Sequence, residues 1–392
     1  MKKGFSVFLL SIIATFFAYS QQKDGFKFIG YIQSQVEFSG IDGTTFTGAA
    51  YNPDRDGKDF YTRAGVRRGL LHFEFTKGKG KGVFEANIRE AGFLPLLAYW
   101  DVTPYDWLSF RGGLMSVGYG HEIEYSSSNM ETMERSLMAR KLFPQEHDFG
   151  FTATLKAPFK DKRHSLKLSL SAMSGNAINK IADPAPNFLS HLKYDYKEGN
   201  TSWGVGLSYY EGRTNNADSA WHVVKDNTWT TQTVKTNQRN ARRYIGAEFQ
   251  YNTKTSWGRT SLRGECSFGK QPTRLNNFAS QQDNSYNIAN PFSYDRKFFG
   301  AFLVYTQQIA RTPLSVVLKY QYLNQNTEIS NDKVQNAADL TYNNIGIGFM
   351  YQFNEQIRLH CLYDIYKNKA NDYIKDLNDN ILMVRLQYKF VY

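Results

Sequence analysis

Residues 107–150 read WLSFRGGLMSVGYGHEIEYSSSNMETMERSLMARKLFPQEHDFG. The stretch opens as a strand, with Leu108, Phe110 and Leu114 alternating against Ser109, Arg111 and Met115, the two-residue period of a chain whose two faces meet different surroundings. Alternation lapses from Gly120 to His147 and resumes at Phe149. An interruption of about thirty residues inside a strand-rich chain is uncommon and usually functional. Within it, Met130, Met133, Leu137 and Met138 recur at helical spacing beside Glu131, Glu134 and Arg135, which predicts a short amphipathic helix. That helix must bury its apolar side. If the strands close into a wide barrel, the place for it is inside the wall, where the loop narrows the lumen.

Working outward, the composition fits such a barrel. The 392 residues include 26 Tyr and 29 Phe but only 10 Pro and 2 Cys, and mean hydropathy is −0.52. Abundant aromatics with a polar average suit a wall that is apolar outside and wet inside; a soluble all-β protein is the competing reading. Lys2 and Lys3 precede the apolar run from Phe5 to Tyr19, and Ala18-Tyr19-Ser20 follows before Gln21. This is the layout of a secretory signal, expected to be residues 1–20. The run is too short to span a bilayer comfortably as a helix, and no Cys follows it to take a lipid anchor. Beyond it no apolar run nears the ~20 residues of a spanning helix. A membrane protein without such helices must be a closed barrel, because every backbone amide has to be satisfied in lipid.

The mature chain, 21–392, keeps strand rhythm to its end. In the first strand Phe26, Phe28, Ile32, Val36 and Phe38 lie on one face, with Lys27, Tyr31, Gln33, Gln35 and Glu37 on the other. Leu71, Phe73 and Phe75 oppose Arg68, His72 and Glu74 in the second, and the last alternates Leu382, Val384, Leu386, Tyr388, Phe390 and Tyr392 with Met383, Arg385, Gln387 and Lys389. Between strands, short links (77–82, 103–106, 160–163, 197–200, 252–255, 311–313, 354–356) alternate with long polar ones (39–61, 174–186, 215–238, 270–292, 324–337, 368–379). Short turns on one rim and long loops on the other are the outer-membrane pattern. The count of strands between them is 16, and 392 − 20 = 372 residues leave about 23 per strand and connector, ample for strands of ~10 residues. Trp107, Tyr194, Tyr196, Trp203, Trp257 and Tyr351 lie near strand ends, where interfacial aromatic girdles form.

The run METMERSLMARKLFPQEHDFGF, 130–151, resembles the phosphate-selective porin O and P family of Gram-negative outer-membrane channels through Met133, Glu134, Arg135, Ser136, Phe143, Pro144, Asp148 and Gly150. The resemblance implies an all-β, transmembrane antiparallel barrel of 16 strands, commonly trimeric, with loop 3 folded into the lumen. It also implies a ladder of arginines in the pore and a lysine-and-serine site at the constriction. Arg67 and Arg68 match the family's strand-two arginine pair by position, and Ser126, Ser127 and Ser128 match the serines of loop 3. A chain ending on an aromatic residue is similar to the assembly signal of outer-membrane barrels.

No enzyme signature is present: no His-Glu-x-x-His, Gly-x-Ser-x-Gly, phosphate loop or CxxC pair. The segment His121-Glu122-Ile123-Glu124 lacks the spacing of a metal site and reads as a solvated loop, so neither metal nor cofactor is expected. Cys266 and Cys361 fall on the apolar parity of the eleventh and fifteenth strands; strands four apart at ~4.8 Å each cannot join their sulfurs, so free buried thiols are expected. What remains is the lumen. Polar parity places Arg68, Arg111, Arg242, Arg259, Arg263, Lys319, Arg358, Arg385 and Lys389 on the inner wall, with Arg67 beside them, and net charge is +11, or 11 − 2 = +9 once Lys2 and Lys3 leave. Positive rings favour anions. Against this, loop 3 has no lysine between Gly120 and Met138 but holds Glu122, Glu124, Glu131, Glu134 and Arg135. A carboxylate repels an anion at 4 Å by ~1–4 kcal/mol, depending on effective dielectric, although Glu134 and Arg135 could instead pin the loop to the wall.

The expectation is an outer-membrane porin that passively conducts small hydrophilic solutes with a mild anion preference, phosphate-type anions included. Its alternatives are a plugged barrel with a structural or adhesive role, and a barrel enzyme. Expected partners are outer-membrane lipid and lipopolysaccharide, the barrel assembly machinery, small anions and two further copies in a homotrimer, not nucleic acid.

Overall fold

In the computed structural model, residues 24–40, 60–89, 92–175, 177, 186–215, 219–236, 238–280, 292–377 and 379–392 are described. The expected signal segment and most of the expected loops 39–61 and 174–186 lie outside them, as does 281–291. Eighteen strands follow in order: β1 (Gly25–Gly40), β2 (Phe60–Lys77), β3 (Gly80–Arg89), β4 (Gly92–Tyr105), β5 (Leu108–Ser116), β6 (His147–Lys156), β7 (His164–Met173), β8 (Asn187–Glu198), β9 (Thr201–Asn215), β10 (Ala220–Lys225), β11 (Thr228–Thr233), β12 (Arg239–Thr255), β13 (Gly258–Thr273), β14 (Tyr294–Gln308), β15 (Leu314–Asn324), β16 (Thr341–Gln352), β17 (Ile357–Lys367) and β18 (Ile381–Val391). Two short helices, α1 (Gly120–Glu124) and α2 (Leu137–Leu142), interrupt them between β5 and β6.

β10 and β11 pair with each other inside the β9–β12 connection, turning at Asp226 and Asn227, both at positive φ (49° and 63°), as a two-residue hairpin requires. The wall therefore has 18 − 2 = 16 strands. Each wall strand pairs antiparallel with the next, β9 continues into β12, and β18 pairs back to β1 from Ile29↔Val391 to Ser39↔Ile381. The sheet is closed. Alternation sorts its two faces: Gln33, Gln35 and Glu37 of β1 are buried inward while Ile32 (47% exposed) and Phe38 point out. Phe93, Phe151, Leu207 and Ile347 are likewise exposed on the outer face. So much uncovered apolar surface suits a wall facing lipid.

β1 and β2 break register once. Gln33 pairs with Arg68 and Ser34 with Val66, so Arg67 stands unopposed in a β-bulge. A bulge re-aims side chains, and here Arg67 and Arg68, consecutive in sequence, both reach the same inner carboxylate, that of Glu134.

Three local expectations are corrected. The strand β12 runs through 252–255, and the turn falls at 256–257. Cys266 of β13 and Cys361 of β17 are free and four wall strands apart, as the count of strands anticipates, but each is half-buried rather than buried, because their outward faces have no second protein layer over them. The 130–136 segment is not helical; its backbone is engaged from outside itself, as described below. Closure generates a stability prediction. In detergent, far-ultraviolet circular dichroism should be dominated by strand and persist on heating to about 70 °C, because no edge is left to fray; a substantially helical spectrum would contradict the architecture.

Candidate functional site

The β5–β6 connection, residues 117–146, closes on itself where the Val117 amide donates to the Glu146 carbonyl (2.9 Å). Between those ends it bonds to inward-facing groups of strand after strand. The Gly120 amide donates to Ser208 Oγ of β9 (3.0 Å), and Tyr119 shares a hydrogen bond with Ser267 of β13 (2.6 Å). Gly120 takes positive φ (68°), and any side chain there would strike the Glu265 carboxylate, which itself accepts from the Glu122 amide. The Leu137 amide donates to Gln321 Oε1 of β15 (2.6 Å), and Met138 packs on Gly300 of β14. Arg358 of β17 donates to the Ser128 carbonyl (2.6 Å), Lys389 of β18 to Ser128 Oγ (3.1 Å), and Tyr31 of β1 pairs with Ser127 Oγ (2.5 Å). Ser126 bonds locally, its hydroxyl to Ser128 Oγ (3.1 Å) and its carbonyl to the Asn129 amide (2.9 Å). Met133, Leu137, Met138, Leu142 and Phe143 are buried in the main apolar cluster.

These contacts explain why the helix expected around Met130 and Met133 does not form. Arg385 donates to the Met133 carbonyl (2.5 Å), and Arg358 reaches the Met130 carbonyl (3.4 Å). The wall thus takes acceptors that a helix would use internally. Helix begins only at Ser136, which caps α2 by accepting from the Ala139 amide (3.2 Å). The Glu122 carboxylate in turn accepts from the Ser136 amide (3.0 Å) and hydroxyl (2.5 Å). Residues 121–124 are therefore not the solvated loop expected from sequence: they form α1, with Glu122 and Ile123 buried.

Glu134 is the strongest node. Arg67 grips it with two bonds of 2.8 Å, Arg385 adds one at 2.6 Å and Arg68 one at 3.4 Å. Burial alone would push this carboxyl up, but Arg67, Arg68 and Arg385 outweigh it and hold it well below the usual range. Arg135 does not reach the wall; it ties the connection together through the Glu122 and Tyr125 carbonyls and the Glu146 carboxylate (2.6 Å). Glu131 binds Arg263 (2.9 Å), which also approaches Glu122 (3.6 Å). Of the five glutamates in the connection, Glu124 alone has no carboxylate-to-cation contact among the described residues.

The cations anticipated on the inner wall thus have several uses. Arg67, Arg68, Arg263, Arg358 and Arg385 hold the connection. Lys319 is committed to Asp364 (2.7 Å) and Arg111 to Asp101 (2.8 Å). Arg242 is fully buried with its guanidinium over the Tyr210 ring (4.7 Å), and Arg259 is exposed beside the β12–β13 turn.

A second set of residues was not singled out from sequence. Lys156, Lys167 and Lys193 lie directly opposite one another across β6, β7 and β8. Beside them, Thr154 bonds to Ser169 (3.1 Å) and Thr152 to Ser171 (2.8 Å). Among the described residues, the one hydrogen bond from the connection to these lysines runs between Lys193 and His121 (3.4 Å). The alternation of Leu166, Leu168 and Leu170 with Lys167 and Ser169 marks their parity, but adjacency needs the register. Between the connection and β1–β5 lies a cavity of about 300 Å³, with Arg67, Arg68 and Arg89 facing Glu85, Glu124 and Glu146.

No protein-family model matches the chain, and no curated protein does. Solved structures do. OmpF of Salmonella typhi, in complex with daunomycin, superposes with TM-score 0.58 at 13% identity over 94% of this chain and 98% of that one. An anion-selective porin from Comamonas acidovorans gives 0.56 at 12%, over 94% and 100%. The outer-membrane channel DcaP of Acinetobacter baumannii gives 0.56 at 15%, over 95% and 99%. At such identities the likeness is one of fold, and the fold is the closed 16-stranded barrel of outer-membrane porins and channels.

Proposed function

We propose that this chain is an outer-membrane porin, a passive channel for small hydrophilic solutes with a mild preference for anions, and not an enzyme. The observation that carries the reading is the uneven cover of the inner wall. The β5–β6 connection is bonded to β9 and β13–β2 and narrows the lumen from that side, while of the lysines on β6–β8 it bonds only Lys193 among the described residues and leaves Lys156 exposed and Lys167 half-buried. Arg89 and Glu124 line the smaller cavity between the connection and β1–β5. Anion preference then follows from the charges left over. Glu134 meets three wall arginines, and Glu131 meets Arg263, which also approaches Glu122, so these carboxylates oppose an anion less than their number suggests, whereas Lys156 and Lys167 have no carboxylate partner among the described residues. A phosphate-selective channel is the finer form of the reading; it rests on the motif at 133–150, and the missing loop lysine argues against tight selectivity. OmpT of Vibrio cholerae in its trimer form is also similar in fold (TM-score 0.55, 10% identity), which fits a homotrimer here. Lipid, lipopolysaccharide, the assembly machinery and removal of residues 1–20 complete the proposal.

Conductance tests it. Single channels in planar bilayers should open in steps; a silent barrel would favour the plugged alternative. Deleting Ile123 to Leu137 should raise step size. Because the folded pKa of Glu134 is depressed, its clamp is present above the ordinary carboxylate range and lost only as pH falls through the depressed value. Traces should therefore stay quiet from neutral to mildly acidic pH. Glu134→Gln leaves three guanidiniums facing a neutral group, at a cost of about 3 kcal/mol, and should add flicker and raise mean conductance at every pH.

Selectivity is the second test. Reversal potentials in a KCl gradient should show chloride preferred over potassium, and Lys167→Gln with Lys193→Gln should weaken that preference. The effect should shrink with salt, because the Debye length falls from ~10 Å at 0.1 M to ~3 Å at 1 M. A cation-selective wild type would overturn the anion reading.

A further inference from the structure

The cavity between the connection and β1–β5 is lined along β3 by Glu85, Asn87 and Arg89, which alternate inward while Phe84 and Ile88 face out. Its volume, about 300 Å³, lies at the lower end of the range for small-molecule sites (~300–1,000 Å³). Part of the lining is apolar. Leu70 of β2 and Leu94 of β4 flank Asn87 in register, and Ile123 of α1 joins them from the connection.

The charged part of the lining can be accounted for group by group. Arg67 and Arg68 are committed to Glu134 (2.8 and 3.4 Å), Arg135 to Glu146 (2.6 Å) and Glu85 to His72 (2.8 Å). His147 is engaged with the Gln145 carbonyl (2.8 Å). Two ionised groups are left over. Neither Arg89 nor Glu124 has an ion pair or a side-chain hydrogen bond among the described residues. Both can be reached, Glu124 being exposed and Arg89 half-buried. Arg67 and Arg68, of like sign, act on Arg89, so an anionic group placed beside it would offset repulsion as well as pair a charge. A guanidinium takes a carboxylate through paired, charge-assisted bonds, and a carboxylate takes an ammonium through the same kind of bond. One uncommitted cation and one uncommitted carboxylate, on one small cavity with an apolar side, complement a molecule that carries both charges and a short hydrocarbon chain.

We infer that this cavity binds a small zwitterion, an α-amino acid with an apolar side chain, its carboxylate on Arg89, its ammonium on Glu124 and its side chain toward Leu70 and Leu94. Such a solute has no net charge and gains nothing from the anion preference proposed above; it is held by two opposite charges at once.

The test uses the full mature barrel in detergent, titrated calorimetrically with L-leucine at neutral pH and low ionic strength. One saturable site is expected. L-Leucinamide, which lacks the carboxylate, and isocaproate, which lacks the ammonium, should each bind at least tenfold more weakly. Arg89→Gln and Glu124→Gln strand no partner, and each should weaken L-leucine at least tenfold, whereas Lys167→Gln should leave it unchanged. Absence of saturable heat in the wild type would overturn the site. Isocaproate binding as tightly as L-leucine, or a Glu124→Gln barrel binding L-leucine as tightly as the wild type, would reduce it to an anion site and overturn the zwitterion. The two analogues need only the wild-type barrel, so the outcome does not hang on the folding of a variant. Because binding is read in detergent, a barrel that binds L-leucine but never conducts would refute the channel reading alone, and one that conducts without binding would refute the site alone.

Discussion

Everything in this molecule depends on the pairing of its last strand with its first. The Phe28 amide donates to the Tyr392 carbonyl and the Tyr392 amide returns the bond, both at 2.8 Å; from there the ladder runs unbroken to Ser39↔Ile381. A sheet closed in this way exposes no row of unmet amides to lipid, the condition for strands to cross a membrane at all. Closure also creates the second problem of the fold. Side chains alternate, so a wall that is apolar outside is polar inside, and a polar interior needs either water or partners.

The β5–β6 connection supplies partners to inward groups of β9, β13, β15, β17, β18, β1 and β2. Its carboxylates and carbonyls meet arginines that would otherwise face one another, and the bulge at Arg67 lets two consecutive residues share one carboxylate. A charge used in this way is withdrawn from solute selection. Arg263 and Arg385 are cationic and inward, yet each is buried against the connection, so the count of inner-wall cations overstates the field a passing ion meets. Lys156 and Lys167 are not used in this way among the described residues.

The sequence was legible where one period suffices. Inward and outward faces of β1, β2 and β18, the strand positions of the two cysteines, and the interruption after β5 all follow from alternation alone. Long-range contacts were not legible. The Met130–Met138 spacing reads as helix, but Arg358 and Arg385, more than two hundred residues away, take the carbonyls of Met130 and Met133. His121 to Glu124 look like solvent-facing polar residues until Glu265 and Arg263 are seen above them. Arg67 has the wrong parity for the lumen, and only a register shift turns it inward. In each case a residue type was identifiable and its partner was not.

The lysine row carries this reasoning one step further. Like charges directly opposite on neighbouring strands destabilise a sheet, and Lys156, Lys167 and Lys193 repeat that arrangement across two consecutive pairings. Elsewhere inside the barrel, clustered cations are bridged by an acid, as Glu134 bridges Arg67, Arg68 and Arg385. Here, among the described residues, only Lys193 has carboxylates near it, Glu248 at 3.7 Å and Asp195 at 3.9 Å. Such a row, with two of its three ammonium groups away from any acid, is tolerable only where water and mobile ions screen it, since at 4 Å the repulsion rises from ~1 kcal/mol in water to ~4 kcal/mol at an effective dielectric of 20. The row therefore needs solvent against Lys156 and Lys167, which sets it apart from the arginines that Glu134 bridges.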